Sequence, residues 1–238
     1  MSVVRQARAA ARHWSADPYA DALRAGGGPL FLRRGDGWLL PLEVDRWCAR
    51  ADAVDRELLD RCEPAVLDVG CGPGRLVAEL AARGEPALGI DVSEAAVAHT
   101  RRLGGRALVR SVFAPLPGAG RWRTALLVDG NLGIGGDPGA LLARMAELLC
   151  PGGLLIVETA PGDIDERVTV RLVGAPGGPA AASTPFPWAR LGTPALLRHA
   201  GPSTWRISDR WTAGGRHFVA LRTHAPTVAG LDHHGKVN

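Results

Sequence analysis

From residue 65 onward the chain alternates short apolar runs with stretches whose apolar residues recur at helical spacing. Ala65–Val69 predicts a first strand, and Arg75–Arg83 a helix carrying Leu76, Val77 and Leu80 on one side. Ala87–Ile90 predicts a second strand that ends at Asp91. Glu94–Leu103 follows as a helix with Ser93 as its N-cap. Ala107–Val109 begins a third strand and Ala125–Val128 forms a fourth. A helix over Pro138–Leu149 and a fifth strand over Leu154–Val157 complete the series. Strand–helix alternation of this kind implies a parallel sheet with helices on both faces. Thr204–Thr212 and His217–Thr223, joined at Gly214-Gly215, predict a closing antiparallel hairpin.

The flanks break this rhythm. Residues 1–16 read as a loose or partly helical arm, and Pro18–Arg24 as a short helix with Asp17 as N-cap, stopped by Gly26, Gly27 and Gly28. Leu30–Arg33 and Trp38–Leu42 around Gly35-Asp36-Gly37 predict a hairpin, and Asp52–Cys62 a helix. Residues 1–62 are thus expected to form an arm and cap on a domain spanning 63–225. Residues 161–192 interrupt that domain as an insertion. Within it Val168–Val173 alternates weakly like a strand and leads into a Gly/Pro/Ala-rich loop. Thr193-Pro194 then starts a helix that runs through His199. The tail 226–238 is expected to be disordered.

Composition narrows the class only modestly. The 238 residues are 46% hydrophobic and 22% charged, which suits an ordinary globular domain. The net charge of +4 comes from arginine almost alone, because Lys236 is the single lysine. So mild an excess argues against nucleic acid as the partner. No apolar run is long enough to span a membrane. Cys48, Cys62, Cys71 and Cys150 show no close spacing of the zinc-site kind, and no secretory leader is recognisable, so reduced thiols in a cytoplasmic protein are expected.

The candidate chemistry lies in Asp68-Val69-Gly70-Cys71-Gly72-Pro73-Gly74, between the first strand and its helix. Glycines there permit a tight turn and close backbone approach to a ligand. Asp68 would repel a pyrophosphate but suits a cationic ligand. Asp91, at the end of the second strand, is placed to accept hydrogen bonds from ribose hydroxyls. A second glycine-rich segment, Asp129 to Pro138, follows the fourth strand.

With these features the sequence resembles the class I S-adenosylmethionine (SAM)-dependent methyltransferases, in particular those with V-L-D-x-G-C-G-P-G-R. The resemblance is good over about residues 64–160 and topological for the final hairpin. It implies an α/β, Rossmann-like doubly wound, mostly parallel seven-stranded sheet with an antiparallel C-terminal hairpin and a small N-terminal cap. It implies SAM as cofactor and S-adenosyl-L-homocysteine as product; no metal is expected, because no acidic cluster marks a divalent-metal site and Asp129 alone would hold one poorly. Asp68, Gly70, Cys71, Gly72 and Gly74 would surround the methionine part, with Cys71 a small filler. Asp91 would hold the ribose and Val92 would pack on adenine. Ser111 stands where the family tends to place an acid near the adenine amino group, beside the backbone of Val112.

For the transfer step, Asp129 and Asn131 after the fourth strand and Glu158 at the end of the fifth are the candidate catalytic residues. Asp129 could equally serve SAM through its backbone, and Asn131 could be purely structural. An Asn/Asp-Pro-Pro-aromatic run is absent here, which argues against methylation of base nitrogens. Tyr19, Arg33, Trp38 and Trp188 are candidate substrate contacts, the cap and the insertion forming opposite walls; packing the cap onto the core is the alternative. Aromatics beside arginines would suit an aromatic or anionic small molecule. His99 reads as a solvated helix residue, His199 as a helix-dipole partner, and His217 as a candidate for the site wall. A methyltransferase acting on a small metabolite is the leading reading. RNA or protein methylation, a SAM-binding protein that no longer methylates, and a NAD oxidoreductase stand as alternatives, and oligomeric state stays open.

Overall fold

The computed structural model describes residues 17–174 and 184–224. The expected N-terminal arm, the Gly/Pro/Ala-rich stretch 175–183 and the tail from Pro226 lie outside the described residues. In chain order the elements begin with α1 (Asp17–Ala25), β1 (Leu30–Arg34), β2 (Leu39–Leu42), α2 (Val44–Cys48) and α3 (Ala53–Asp60). The alternating part follows as β3 (Val66–Val69), α4 (Arg75–Ala82), β4 (Ala87–Asp91), α5 (Glu94–Arg102), β5 (Ala107–Val109) and β6 (Trp122–Leu127). A short 3-10 turn (Asn131–Gly133) leads to α6 (Pro138–Leu148), β7 (Leu149–Thr159), β8 (Asp165–Val173) and β9 (Phe186–Leu191). The chain closes with α7 (Thr193–Ala200), β10 (Trp205–Ala213) and β11 (Arg216–Thr223).

Seven strands form the main sheet in the order β10-β11-β7-β6-β3-β4-β5. The five from β7 to β5 are parallel, and β11 pairs antiparallel with both β7 and β10. Every residue of β3 is buried, as expected of a central parallel strand covered on both faces. On one face Leu67, Leu127, Leu155 and Val219 meet Leu141, Met145 and Leu148 of α6 and Leu196 of α7. On the other, Leu126, Ile156 and Phe218 meet Leu58 and Leu59 of α3 and Leu76 and Leu80 of α4. The first turns of these helices are fixed by side-chain caps: Ser93 accepts from the Ala96 N–H, Asp137 from Ala140, and Asp52 and Asp55 form a reciprocal capping box.

The cap and the insertion do not make opposite walls. β1, β2, β8 and β9 hydrogen-bond in the order β2-β1-β8-β9 as one antiparallel sheet. Its inner face buries Leu30, Leu32, Val170, Leu172 and Trp188, together with Tyr19 and Leu23 of α1. We call this the lid sheet. Its strands alternate buried and exposed positions, most clearly in β8, but the partner strand lies far away in sequence and periodicity cannot reveal it.

Three local expectations change. The last parallel strand, β7, starts at Leu149 rather than Leu154, because Gly152 and Gly153 dilute its apolar pattern without ending its pairing. Thr193 is not a cap: Gly192 occupies that position, and the Thr193 hydroxyl lies 2.8 Å from that of Thr159. The five-residue α2 was not predicted, being too short to show a helical period.

Candidate functional site

The glycine loop leaves β3 and folds over the end of the sheet with φ of +73° at Gly70, +54° at Gly72 and +94° at Gly74. Only glycine occupies these conformations without strain. The loop is fixed from several sides. The Asn131 amide nitrogen donates to the carbonyls of Val69 and Gly70, both at 2.9 Å. The Gly72 N–H donates to Asp91 at 2.9 Å, and the Thr100 hydroxyl donates to the Gly72 carbonyl at 3.1 Å. His99 Nδ1 meets the Pro73 carbonyl at 2.8 Å, so this histidine anchors the loop rather than facing solvent. A Cβ on Gly74 would fall 2.5 Å from the Thr100 hydroxyl oxygen, and one on Gly70 would fall 2.8 Å from Asn131. Gly70→Ala is therefore expected to lower affinity for the loop's ligand by about tenfold or more, measured by calorimetry, with the fold retained by circular dichroism.

Beyond the loop lies a cavity of about 760 Å³. Asp68, Gly70, Cys71, Gly72, Asp91 and Val92 line one side. Ser111, Val112, Asp129, Asn131, Tyr19 and Trp188 line the rest of its predicted wall. Gly74 sits behind the wall as the N-cap of α4. Asp68 is 2% exposed, and its Oδ1 is buried without a hydrogen-bond partner. Burial first, and then the charge of Asp129, push its carboxyl up to about 7. Burial pushes Asp91 up to about 6, against the opposing effect of backbone N–H groups of Ser93 and Gly72. Burial likewise holds the Tyr19 hydroxyl and the Cys71 thiol well above their ordinary values, so neither is a ready nucleophile or base.

A methyltransferase domain model matches residues 66–153. The ubiquinone biosynthesis O-methyltransferase of Caulobacter sp. (strain K31) is 31% identical over 172 residues, covering 65% of this chain and 67% of that protein. Its counterpart from Caulobacter vibrioides is 32% identical over 171 residues, with the same coverage. The chain belongs to the class I SAM-dependent methyltransferases. A SAM-dependent methyltransferase from Bacteroides fragilis, solved with S-adenosyl-L-homocysteine, superposes with a TM-score of 0.73 over 90% of this chain and 96% of its own, at 18% identity. That likeness establishes the common fold. The cofactor of this methyltransferase is SAM, and its product is S-adenosyl-L-homocysteine. The unmatched Asp68 oxygen inside the cavity fits a ligand that brings a cationic donor.

The methyltransferase holds its expected catalytic acids in ion pairs. Asp129, itself at φ +57°, receives Arg46 at 2.6 Å, Arg75 at 3.0 Å and Arg216 at 3.3 Å. Glu158 receives Arg216 at 2.8 and 2.9 Å and the Asp129 N–H at 2.7 Å. Asp55 is fully buried and closes the network onto Arg75 at 2.6 Å and Arg216 at 2.9 Å. The oxygens of Asp129 and Glu158 are already engaged by guanidinium and amide donors. The structure thus does not support Asp129 or Glu158 as a free general base, and Asn131 is engaged with the glycine loop.

Two expected substrate contacts lie elsewhere. Arg33 is exposed on the lid sheet and borders no described cavity. Trp38 carries the guanidinium groups of Arg34 and Arg190 over its ring, at 5.4 and 5.1 Å from its centre. His217 pairs with the Thr212 hydroxyl at 3.1 Å away from the cavity, and His199 faces the Asp165 carboxylate at 3.1 Å. In their place the fold brings in Leu42, Trp47, Ile134 and Phe186. Nothing in the local sequence marks Leu42 or Trp47, whereas Ile134 belongs to the second glycine-rich segment and Phe186 to the insertion expected to wall the site. Arg75 carried a signal too, as the last residue of the glycine motif.

Proposed function

We propose that this methyltransferase transfers the methyl group of SAM to a small-molecule acceptor bound beneath the lid sheet. The observation that carries this reading is the enclosure. The donor cavity runs under Leu42, Trp47, Phe186 and Trp188, and a second chamber of about 310 Å³ adjoins it. Both volumes lie in the range of small-ligand sites. The Caulobacter relatives are named for an O-methylation in ubiquinone biosynthesis. A fold neighbour at 22% identity and TM-score 0.50, from Burkholderia thailandensis, is an N1-methyltransferase solved with 1,6-didemethyltoxoflavin bound. Both support a small acceptor.

In this reading Asp68 faces the ammonium end of SAM and Asp91 takes the ribose hydroxyls. Val92, Ser111 and Val112 frame the adenine, with the Ser111 oxygen accepting the Phe113 N–H at 3.3 Å. Tyr19 closes the loop from above; its hydroxyl is 3.4 Å from where a Gly72 Cβ would lie. Bound there, SAM supplies a methyl carbon on a cationic sulfur. The protein's part is to align the acceptor with that carbon and exclude water.

The test combines calorimetry with product mass. SAM and S-adenosyl-L-homocysteine should bind at micromolar concentration, and a panel of small ring compounds should yield a product heavier by one methyl group. Methylation of RNA, with binding that weakens steeply as salt rises, and no small-molecule turnover would overturn the proposal.

A further inference from the structure

Three consecutive residues of α2 each meet a different partner. Asp45 accepts the Gly28 N–H at 2.8 Å, which ties α2 to the chain ahead of β1. Trp47 meets Tyr19 of α1 edge to face, with ring centres 6.5 Å apart, and both residues line the donor cavity. Arg46, between them, donates through Nη2 to Asp129 at 2.6 Å. Among the described residues this is the only ion pair between α2 and the main-sheet domain.

Through Asp129 this contact reaches the donor site. Asp129 stands just after β6 at φ +57°, a costly conformation for a residue with a side chain. Its N–H is held by Glu158 at 2.7 Å and its carboxylate by three guanidinium groups. Close behind it in the chain, Asn131 grips the Val69 and Gly70 carbonyls of the glycine loop. Of the three arginines, Arg75 and Arg216 are also tied to the buried Asp55, and Arg216 to Glu158. Arg46 joins the network at Asp129 alone; its other partner, Glu43, is exposed. Loss of Arg46 therefore leaves the pairs of Asp55 with Arg75 and Arg216 in place and frees α2 from Asp129.

We propose that Arg46 is a positioning residue for the donor site: through Asp129 it holds α2, and with it Trp47 and Tyr19, closed over the donor cavity, and it balances the Asp129 charge there. The proposal rests on the reading that Asp68 faces the ammonium end of SAM, and it adds what keeps the roof of that site shut. Loss of Arg46 has two effects that a simple brace would not combine. The roof is released, so SAM leaves faster. Asp129 keeps two arginines in place of three, so its negative charge acts more strongly on Asp68. The charged groups acting on Asp68 are Asp129 after β6, Arg75 of α4, Asp91 at the end of β4 and Asp55 of α3, and its own charge reaches the Cys62 and Cys71 thiols. Of these only Asp129 is paired with Arg46.

The test is a double-mutant cycle on SAM affinity, read by calorimetry with the full chain from about pH 6 to about pH 9. Arg46→Met should weaken SAM about fivefold at about pH 8, through faster dissociation in stopped flow, and should move the fall in affinity to higher pH. Arg46→Lys keeps the charge and should return the fall to its parental pH. Asp129→Asn, a change the left-handed conformation tolerates, should move it to lower pH. In that background Arg46→Met should change SAM affinity by less than about twofold. Parental affinity in Arg46→Met, or the same loss with and without Asp129→Asn, would overturn the proposal. So would a loss equal at every pH, which would make Arg46 a brace for the cap and nothing more. Arg46→Gln gives the same readings if Arg46→Met does not fold. A flat profile in the parent would instead overturn the placing of Asp68 against SAM, and the cycle at about pH 8 would still decide the part of Arg46.

Discussion

Asp55→Ala will lower the stability of the methyltransferase by about 3–5 kcal/mol, the cost of stranding a buried ion-pair partner. The Asp55 side chain is fully buried, and its two oxygens meet Arg75 at 2.6 and 3.1 Å and Arg216 at 2.9 Å. It also closes the capping box of α3 through the Asp52 N–H at 3.1 Å. Removing it leaves two guanidinium groups short of an acceptor and the Asp52 N–H without its capping-box partner. In a chain of this size the midpoint of thermal unfolding should fall by about 10 °C. Asp60→Ala, on the same helix, is the control. Its pair with Arg83 is largely exposed, so its loss should cost at most about 1 kcal/mol. Equal melting points for the two variants would show that the buried network does not hold these elements together.

Affinity for SAM will fall about tenfold from pH 7 to pH 6 and level off above pH 8. In the free protein burial and the nearby Asp129 raise the Asp68 carboxyl to about 7, so it is largely protonated at pH 6. A cationic ligand favours the ionised form, and binding below pH 7 therefore releases a proton. Asp91, raised to about 6, adds the same trend at lower pH. The sign for folding is opposite. A carboxyl whose folded value is raised stabilises the protein fully below its unfolded value, and that contribution is lost as pH rises through about 7. Asp68→Asn should accordingly bind SAM about ten- to a hundredfold more weakly at pH 8, yet melt no lower than the parent there without ligand. Calorimetry in buffers of different ionisation enthalpy reads the proton release directly. A flat affinity between pH 6 and 8 would show that Asp68 does not meet the charge of SAM.

The main sheet was readable because its parallel strands are short apolar runs, and all but β5 and β6 are separated by helices. Ser93 and Asp137 act as the caps their positions suggest. The donor side of the site was readable for a related reason: Asp68, the three glycines and Asp91 sit on consecutive strand ends, and local order places them together. The side under the lid sheet was not. Asp129 and Glu158 look like available acids in sequence, and only the fold brings Arg46, Arg75 and Arg216 onto them. Trp38 looked like a contact because an aromatic beside arginines suggests a ligand; here the arginines stack on it themselves. Trp47 and Leu42 reach the cavity through a short helix and an edge strand that carry little periodicity.

The lid sheet joins β1 to β8 across about 130 residues of intervening chain, between Arg34 and Asp165. Pairing over such a separation costs loop-closure entropy early and is repaid only once the parallel sheet has brought the two segments near each other. The donor half, from β3 to β7, needs no such closure. The order of assembly this implies places the glycine loop before the chamber under the lid sheet, so a nascent or partly unfolded chain would present a cofactor cleft with no roof. In pulse-labelling hydrogen exchange, amides of β1 and β8 should then gain protection after those of β3 and β6.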